Sequence, residues 1–408
     1  MCKTRFFGLM LLLTFSNFNY AASLQLLDNW SYAGNIKLQS SETLFAKNDL
    51  ASMNDSRLQH NHMASTRLMG DYLKQGFTFN FHYDLKFQYS TLNDIAGNTP
   101  SSKQIIDLDS NLLNRDDYLV SQRIDRLSLG YAKNNWVIQL GRQAISWGNG
   151  FLFNPMDLFN PFSQTAIDKD YKPGEDMLYL QWLFDSGNDW QWVFIPRKSS
   201  ENDDINLNVS SAAFKYKRIM DFAEMDFLVA RHYDENILGT GIIKSIKESI
   251  WRMDVTLTHL KDDSLAIMLV TNVDYSWIWI DHNMYGYVEY LYNSIGKNSY
   301  QELLGSPILD RIERSELFTS GSQYLAGGLT IETSPLTSFA PSIIVNLHDA
   351  SILAPINFTY SWKQNTTLSL GGNFVIGKRD TEFGGYRLPG NKYLSAGQNI
   401  YLQVANYF

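Results

Sequence analysis

Fixed charges gather in and around one bent, aromatic-rich stretch of the chain, residues 141–176. Opposed charges across a narrow aqueous passage select among ions and charged solutes. These groups are therefore candidates for lining the constriction of a pore. Buried ion pairs can instead latch a loop, and Arg142 with Asp157 is the candidate pair for that structural role. The candidates form a basic and an acidic set: Arg123, Arg126, Arg142, Asp157, Asp168, Asp170, Lys172 and Glu175.

Other side chains that carry chemistry give weaker signals. His60 and His62 lie close together near Asp55, but a solvated polar loop is favoured over a metal site because no helix or strand fixes a third ligand. The sequence has no His-x-Ser-Asn or Gly-x-Ser-x-Gly segment and no phosphate-binding glycine loop. We therefore expect no catalytic residue, no metal and no cofactor.

The charged groups must be positioned by strands, and the strand pattern is clearest over Phe77–Ser90, where every second residue is aromatic or apolar. Strand side chains alternate between two faces, so this segment has one oily and one wet face. Its 14 residues exceed the usual globular strand, whereas a tilted membrane-spanning strand needs about 9–11 residues in the apolar zone. The polar positions are predicted to face a lumen: Asn80, His82, Asp84, Lys86 and Gln88.

The same alternation recurs along the chain and predicts about 18 strands (16–18), hence an all-β fold, a transmembrane antiparallel barrel. Every second connection is short, and the long ones, such as residues 47–63 and 93–117, fall in the complementary set. That separation is typical of short periplasmic turns and long extracellular loops. A soluble β-sandwich is the less favoured alternative, because its strands are shorter.

The first residues have the order of a secretory signal: Lys3 and Arg5, then an apolar segment, then Ala21 and Ala22. We expect residues 1–22 to be cleaved and residues 23–408 to form a single barrel in the outer membrane of a Gram-negative bacterium. The only cysteine, Cys2, leaves with the signal, which excludes a disulfide framework. A formal net charge of −8 makes nucleic acid an improbable partner.

The chain ends on an alternating segment with a terminal aromatic, Phe408. This resembles the signature by which the barrel assembly machinery recognises its clients, although Asn406 departs from the usual apolar residue. The resemblance implies that machinery as a partner, besides the lipid of the outer membrane.

Three prolines and four glycines give the charged stretch a bent path, and its phenylalanines need burial. Because this is the third long loop, residues 147–175 are predicted to fold into the lumen, as the third loop of porins does. The acidic residues would then face a basic wall made by Arg123, Arg126 and Arg142.

The stretch also carries Gly-Arg-Gln at 141–143, Trp-Gly at 147–148, Asn-Pro-Met-Asp at 154–157 and Lys-Pro-Gly at 172–174. This block resembles that of poorly characterised Gram-negative outer-membrane barrels found beside exporters of the RND type, distantly similar to alginate-export barrels and porins. The resemblance implies a barrel conduit, with an inner-membrane exporter as a candidate partner, and names no solute.

Two function classes remain open on the sequence. The first is a conduit for small solutes, either a porin-like channel or the outer-membrane partner of an exporter. The second is a non-conducting surface or structural barrel with a plugged lumen, since the same polar residues could be satisfied by a folded loop. Neither class makes the protein an enzyme.

Overall fold

Strand pairing in the computed structural model runs round a closed antiparallel ring. The structure describes residues 29–52, 56–91, 104–115, 117–199 and 203–408. The predicted signal, residues 1–22, and Asp55 lie outside this part of the chain. The first half of the ring contains β1 (Trp30–Leu44), β2 (Leu58–Lys74), β3 (Phe77–Ser90), β4 (Asp109–Arg115), β5 (Tyr118–Lys133), β6 (Trp136–Gln143), β7 (Glu175–Leu183), β8 (Asp189–Ile195), β9 (Ser211–Met220) and β10 (Ala223–His232).

The second half continues the meander and closes it. Its strands are β11 (Glu235–Ile246), β12 (Ser249–His259), β13 (Leu265–Trp279), β14 (His282–Asn293), β15 (Gln323–Ser334), β16 (Thr337–Asn346), β17 (Ile352–Lys363), β18 (Thr366–Ile376) and, after the small hairpin β19 (Tyr386–Leu388) and β20 (Lys392–Leu394), β21 (Gln398–Tyr407). Strand β21 pairs with both β18 and β1, which closes the ring. The ring consists of β1–β3, β5–β18 and β21, which makes 18 strands, and the short β4 is an additional strand beside β5. The predicted barrel of about 18 strands is thereby confirmed.

Connections of unequal length separate the two ends of the barrel. At one end the strands join through short turns such as Gln75–Gly76 and Asn134–Asn135, where Gln75, Gly76 and Asn134 have positive φ. At the other end lie the long loops, including residues 144–174, 294–322 and 377–397. This arrangement matches short periplasmic turns and long extracellular loops, and the two ends are named accordingly below.

Two segments predicted as polar loops contain strand. Strand β2 begins at Leu58, so His60 and His62 lie within it and not in a loop. Strand β4 lies inside the predicted loop 93–117 and pairs with the extracellular half of β5. Strand β6 pairs only with the periplasmic half of β5. Strand β4 therefore supplies the hydrogen-bond partners of β5 on the extracellular side of the point where β6 ends.

The outer surface of the barrel is apolar, as a lipid-facing surface must be. Outward residues such as Leu129, Leu140, Val229 and Leu370 are more than half exposed. Aromatic rings cluster at the periplasmic end, where Trp136 packs edge-on against Trp182 at 4.5 Å between ring centroids. Such a girdle suits the membrane–water interface.

Within the described ranges, helices occur only in connections between strands. Between β14 and β15 lie α1 (Tyr300–Leu303) and α2 (Pro307–Glu313), and a 3₁₀ turn covers Leu50–Ser52. Leu303 and Ile308 pack with Tyr386 in one small apolar cluster, which joins two extracellular loops. None of the helices in the described ranges is long and apolar enough to cross a membrane.

The register of β3 predicts opposite outcomes for arginine at neighbouring positions. Phe81→Arg should impair insertion, because a midplane charge on the lipid face costs about 2–4 kcal/mol. His82→Arg should be tolerated, since Nε2 of His82 lies 3.2 Å from a carboxylate oxygen of Asp71. Heat-dependent gel mobility of the outer-membrane fraction measures folded barrel. Equal loss of folded protein for both variants would contradict the assigned faces.

Candidate functional site

Residues 144–174, called loop 3 from here on, connect β6 to β7 and pack against inward-facing side chains. Trp147, Met156 and Phe159 are at most 5% exposed and belong to one apolar cluster with inward residues of β7 to β11. Phe153 belongs to a second cluster, with inward residues of β13 to β18. Loop 3 therefore contacts two separate parts of the barrel wall.

The extended segment at the start of loop 3 is held by two buried carboxylates of the wall. Glu289 of β14 is fully buried and accepts backbone N–H bonds from Phe151, Leu152 and Phe153 at 2.6–2.9 Å. Asp254 of β12 accepts two bonds at 2.7 Å, from the backbone N–H and the side-chain amide of Asn149. Gly148 precedes this segment with φ of 96°, which favours glycine.

An internal ion pair closes loop 3 on itself. The Lys172 ammonium donates to both carboxylate oxygens of Asp157 at 2.6 and 2.7 Å and to the Ile145 carbonyl at 2.7 Å. Burial raises the pKa of Asp157 and lowers the pKa of Lys172, while the pairing opposes both shifts. Buried charges of this kind are retained only when paired, so the contact fixes the shape of the loop.

Arg142 has a different partner from the one that the sequence suggested. It is 1% exposed, and its guanidinium donates to both oxygens of Asp176 at 2.8 and 3.2 Å. It also donates to Asp109 at 3.3 Å and to the Ile106 carbonyl at 2.6 Å. The Arg142–Asp157 latch is therefore wrong: Arg142 ties the end of β6 to β7 and β4.

A β-bulge in β5 creates the basic cluster of the lumen. His82 pairs with Arg126 and Tyr83 pairs with Ile124, which leaves Asp125 as the extra residue. A bulge redirects side chains, and Asp125 here lies within 3.3 Å of Arg67, Arg123 and Arg126. The predicted basic wall is thus neutralised in part by an acid of its own strand.

The acidic residues late in loop 3 face β1. Asp168 and Asp170 accept hydrogen bonds from the Lys37 ammonium at 2.7 and 2.5 Å. Asp170 also accepts the Tyr407 hydroxyl at 2.7 Å. Burial alone would raise the pKa of Asp170, but the hydrogen bonds from Lys37 and Tyr407 bring it below its usual value. Asp168 and Asp170 thus form ion pairs with Lys37, a residue outside the predicted basic wall of Arg123, Arg126 and Arg142.

Glu175 is the first residue of β7 and accepts a bond from the Asn160 side chain of loop 3 at 2.9 Å. The β3 candidates contact other inward positions. Asn80 donates to Asp71 at 2.6 Å, Gln88 donates to Asn61 at 3.0 Å, and Asp84 lies 3.1 Å from the Lys86 ammonium and 3.6 Å from Arg67.

A cavity of about 340 Å³ lies between the end of loop 3 and the wall. Nine of its fourteen lining residues carry an uncharged amide or hydroxyl group, and loop 3 contributes Thr165 and Ile167. The wall contributes Gln39, Ser41, Thr43, Asn61, Gln88, Ser90, Leu353, Asn373, Val375 and Asn399, and the loop before β21 contributes Ala396 and Gly397. Polar lining of this kind can hydrogen-bond water or a hydrated solute.

Several site residues escaped the sequence analysis: Lys37, Arg67, Asp125, Asp176, Asp254 and Glu289. Lys37 and Arg67 could have been found from the sequence, because each is a charged residue on the polar face of an alternating strand. Asp254 and Glu289 carry the same signal, a single acid on the wet face of a long strand. Their partners, 105 to 138 residues away in the chain, have no local signature.

Neither a protein-family model nor a curated protein sequence matches the chain. Solved structures do. A BenF-like porin from Pseudomonas fluorescens Pf-5 aligns over 94% of this chain and 99% of its own, with a TM-score of 0.54 and 8% identity. OccAB4 of Acinetobacter baumannii aligns over 93% of this chain and 98% of its own, with a TM-score of 0.54 and 8% identity. OccK2 (OpdF) of Pseudomonas aeruginosa was solved in complex with glucuronate. It aligns over 94% of this chain and 98% of its own, with a TM-score of 0.52 and 8% identity.

These neighbours confirm the resemblance at the level of porin-like barrels. The more specific likeness to alginate-export and exporter-associated barrels stays a hypothesis. The chain has the fold of Gram-negative outer-membrane porins, a closed antiparallel β-barrel.

Proposed function

We propose that the protein is an outer-membrane channel for small solutes, with loop 3 as its constriction. The observation that carries the proposal is the cavity of about 340 Å³ between loop 3 and the wall of an 18-strand barrel, into which amide and hydroxyl side chains are placed. Barrels of 16–18 strands leave an aqueous lumen unless something fills it. Here loop 3 fills one side of the lumen and leaves hydrogen-bonding groups on the other.

The solute path continues from this cavity past exposed charges. Lys86 lies two residues from Gln88 on the same face of β3, and its side chain is 46% exposed. Arg123 is 26% exposed, whereas Asp168 and Asp170 on the loop side are 34% and 42% exposed. Opposed charges of this kind set ion selectivity. Since OccK2 was solved with glucuronate, a small sugar acid is the first test solute.

Planar-bilayer recording of the purified barrel tests the proposal. We expect discrete conductance steps and blockade or permeation by millimolar glucuronate. Barrel that shows the heat-dependent gel shift of a folded protein but gives no current would favour the second function class, a plugged surface or structural barrel. The dense packing of loop 3 against two parts of the wall is the observation behind that alternative.

Charge reversal at Lys86 should change selectivity without disturbing the fold. Lys86→Glu replaces an exposed cation beside the path, so the reversal potential in a KCl gradient should shift toward cation preference. Lys363→Glu, at the periplasmic end of β17, is the control and should leave the reversal potential unchanged. A shift toward anions, or equal shifts for both variants, would place the path elsewhere.

The proposed partners are tested through the terminal residue. The Phe408 backbone exchanges two hydrogen bonds with Gly34 of β1, at 2.7 and 3.0 Å. A side chain at Gly34 would collide with the Phe408 ring at 2.6 Å. If the assembly machinery reads Phe408, removing it should lower the folded outer-membrane fraction while total synthesis stays constant. A partnership with an inner-membrane exporter stays a proposal, for which co-purification after crosslinking is the test.

A further inference from the structure

Three metal-ligating side chains meet on the outer surface of the barrel, away from the lumen. Glu42 of β1 lies directly opposite His60 of β2, and His62 follows on the same face of β2. Lys37 and Arg67 lie on the other, inward face of the same two strands. The cluster is therefore on the outside of the wall, close to the extracellular ends of β1 and β2.

The ligand atoms already converge. One atom from each of the three side chains lies within 4.8 Å of the other two. The Oε2 atom of Glu42 is shielded from solvent and forms an ion-pair contact with Nδ1 of His60. A carboxylate oxygen and an imidazole nitrogen this close together are suited to ligating one shared cation.

Neighbouring side chains orient His62. Its Nδ1 lies 2.9 Å from the Ser40 hydroxyl, and its ring stacks on Tyr89 with centroids 5.8 Å apart and planes 8° apart. The His60 and His62 rings are stacked at 6.3 Å. Hydrogen bonds that hold a histidine ring in place raise metal affinity, because less ordering remains for binding.

We propose that Glu42, His60 and His62 bind one first-row divalent transition-metal ion on the outer rim of the barrel. Two imidazoles and one carboxylate are ligands that Zn²⁺, Cu²⁺ and Ni²⁺ accept, whereas Mg²⁺ and Ca²⁺ prefer oxygen alone. Three protein ligands leave a coordination position for water or for an oxygen atom of a lipid headgroup.

The third ligand explains why sequence reasoning favoured a plain loop here. Glu42 precedes His60 by 18 residues, and only the pairing of β1 with β2 brings the two together. All three ligands belong to paired strands, so their backbone positions are fixed before metal arrives. The simplest competing explanation is an ion pair between His60 and Glu42 alone, which would give His62 no role in metal binding.

Zn²⁺ titration of the full mature barrel, purified without a histidine tag, separates the two explanations. We expect one saturable equivalent by calorimetry, abolished in His62→Ala and in Glu42→Gln. His259→Ala is the matched control, because His259 is also exposed at the extracellular end of its strand and lies 3.7 Å from Asp263. That variant should keep the full equivalent.

Copper provides a second readout that does not depend on affinity for zinc. Electron paramagnetic resonance of one Cu²⁺ equivalent should show two imidazole nitrogens in the wild type and one in His62→Ala. Gel mobility before and after heating shows that each variant is folded. Equal stoichiometry in wild type and His62→Ala, or a wild type with no saturable equivalent, would overturn the proposal.

Discussion

Deleting residues 154–162 of loop 3 is expected to raise single-channel conductance severalfold while the barrel still assembles. This segment contains Met156, Leu158 and Phe159, which fill one side of the lumen, and Asp157, which binds the Lys172 ammonium. None of the strand pairs that close the ring involves these residues. The deletion therefore removes material from the lumen and leaves the hydrogen-bonded wall in place.

Two further variants isolate the cause. Replacing the same nine residues by a glycine–serine segment of equal length keeps the loop long but removes its packing, and should also raise conductance. Removing residues 389–391, an exposed turn of another extracellular loop, should change nothing. Unchanged conductance in a correctly inserted deletion variant would place loop 3 outside the permeation path. The segment would then be better interpreted as a docking surface for a partner on the cell exterior.

Much of the wall could be predicted from period-two alternation alone. Phe77–Ser90 has the same bounds in the sequence analysis and in the structure. Alternation defines faces as well as strands, because a shift of one residue would turn every polar side chain toward lipid. The short turns followed from the same pattern, since two-residue turns tolerate residues such as Asn134 and Gly76 with positive φ.

Charge partners could not be predicted in the same way. The bulge at Asp125 breaks the period of two, so three arginines and one aspartate come together without any local signal. The sequence offers Arg142 and Asp157 as a pair that latches the loop, but the register of β6 against β7 places Asp176 opposite Arg142. Ion-pair choice thus depends on strand register and on bulges.

Loop 3 shows the same limit. Its phenylalanines indicated a need for burial, and its prolines indicated a bent path. They did not indicate which walls receive it, because Glu289 and Asp254 are anchors contributed by strands more than a hundred residues later. These carboxylates accept hydrogen bonds mainly from backbone N–H groups, which nearly every residue has. The residue types in loop 3 therefore do not indicate which wall carboxylates will bind it.

Replacing Glu289 by alanine should release the start of loop 3. The carboxylate accepts three backbone N–H bonds and the Asn272 amide, and its loss leaves those donors buried without partners. Each unsatisfied buried donor costs about 1–3 kcal/mol, so this segment should leave the wall and expose its N–H groups to water. We expect higher mean conductance, frequent current fluctuations, and protease cleavage near residues 149–153 that the wild type resists.

Two comparisons show whether the effect comes from the anchor itself. Glu289→Gln keeps one carbonyl acceptor but places an amide donor against the N–H groups, so an intermediate phenotype should result. Glu332→Ala removes an exposed carboxylate at the periplasmic end of β15, where it binds the Asn283 amide, and should leave current and cleavage unchanged. If Glu289→Ala behaves like Glu332→Ala in a folded barrel, the three hydrogen bonds do not hold the loop. Its position would then rest on the apolar contacts of Trp147, Phe153 and Met156.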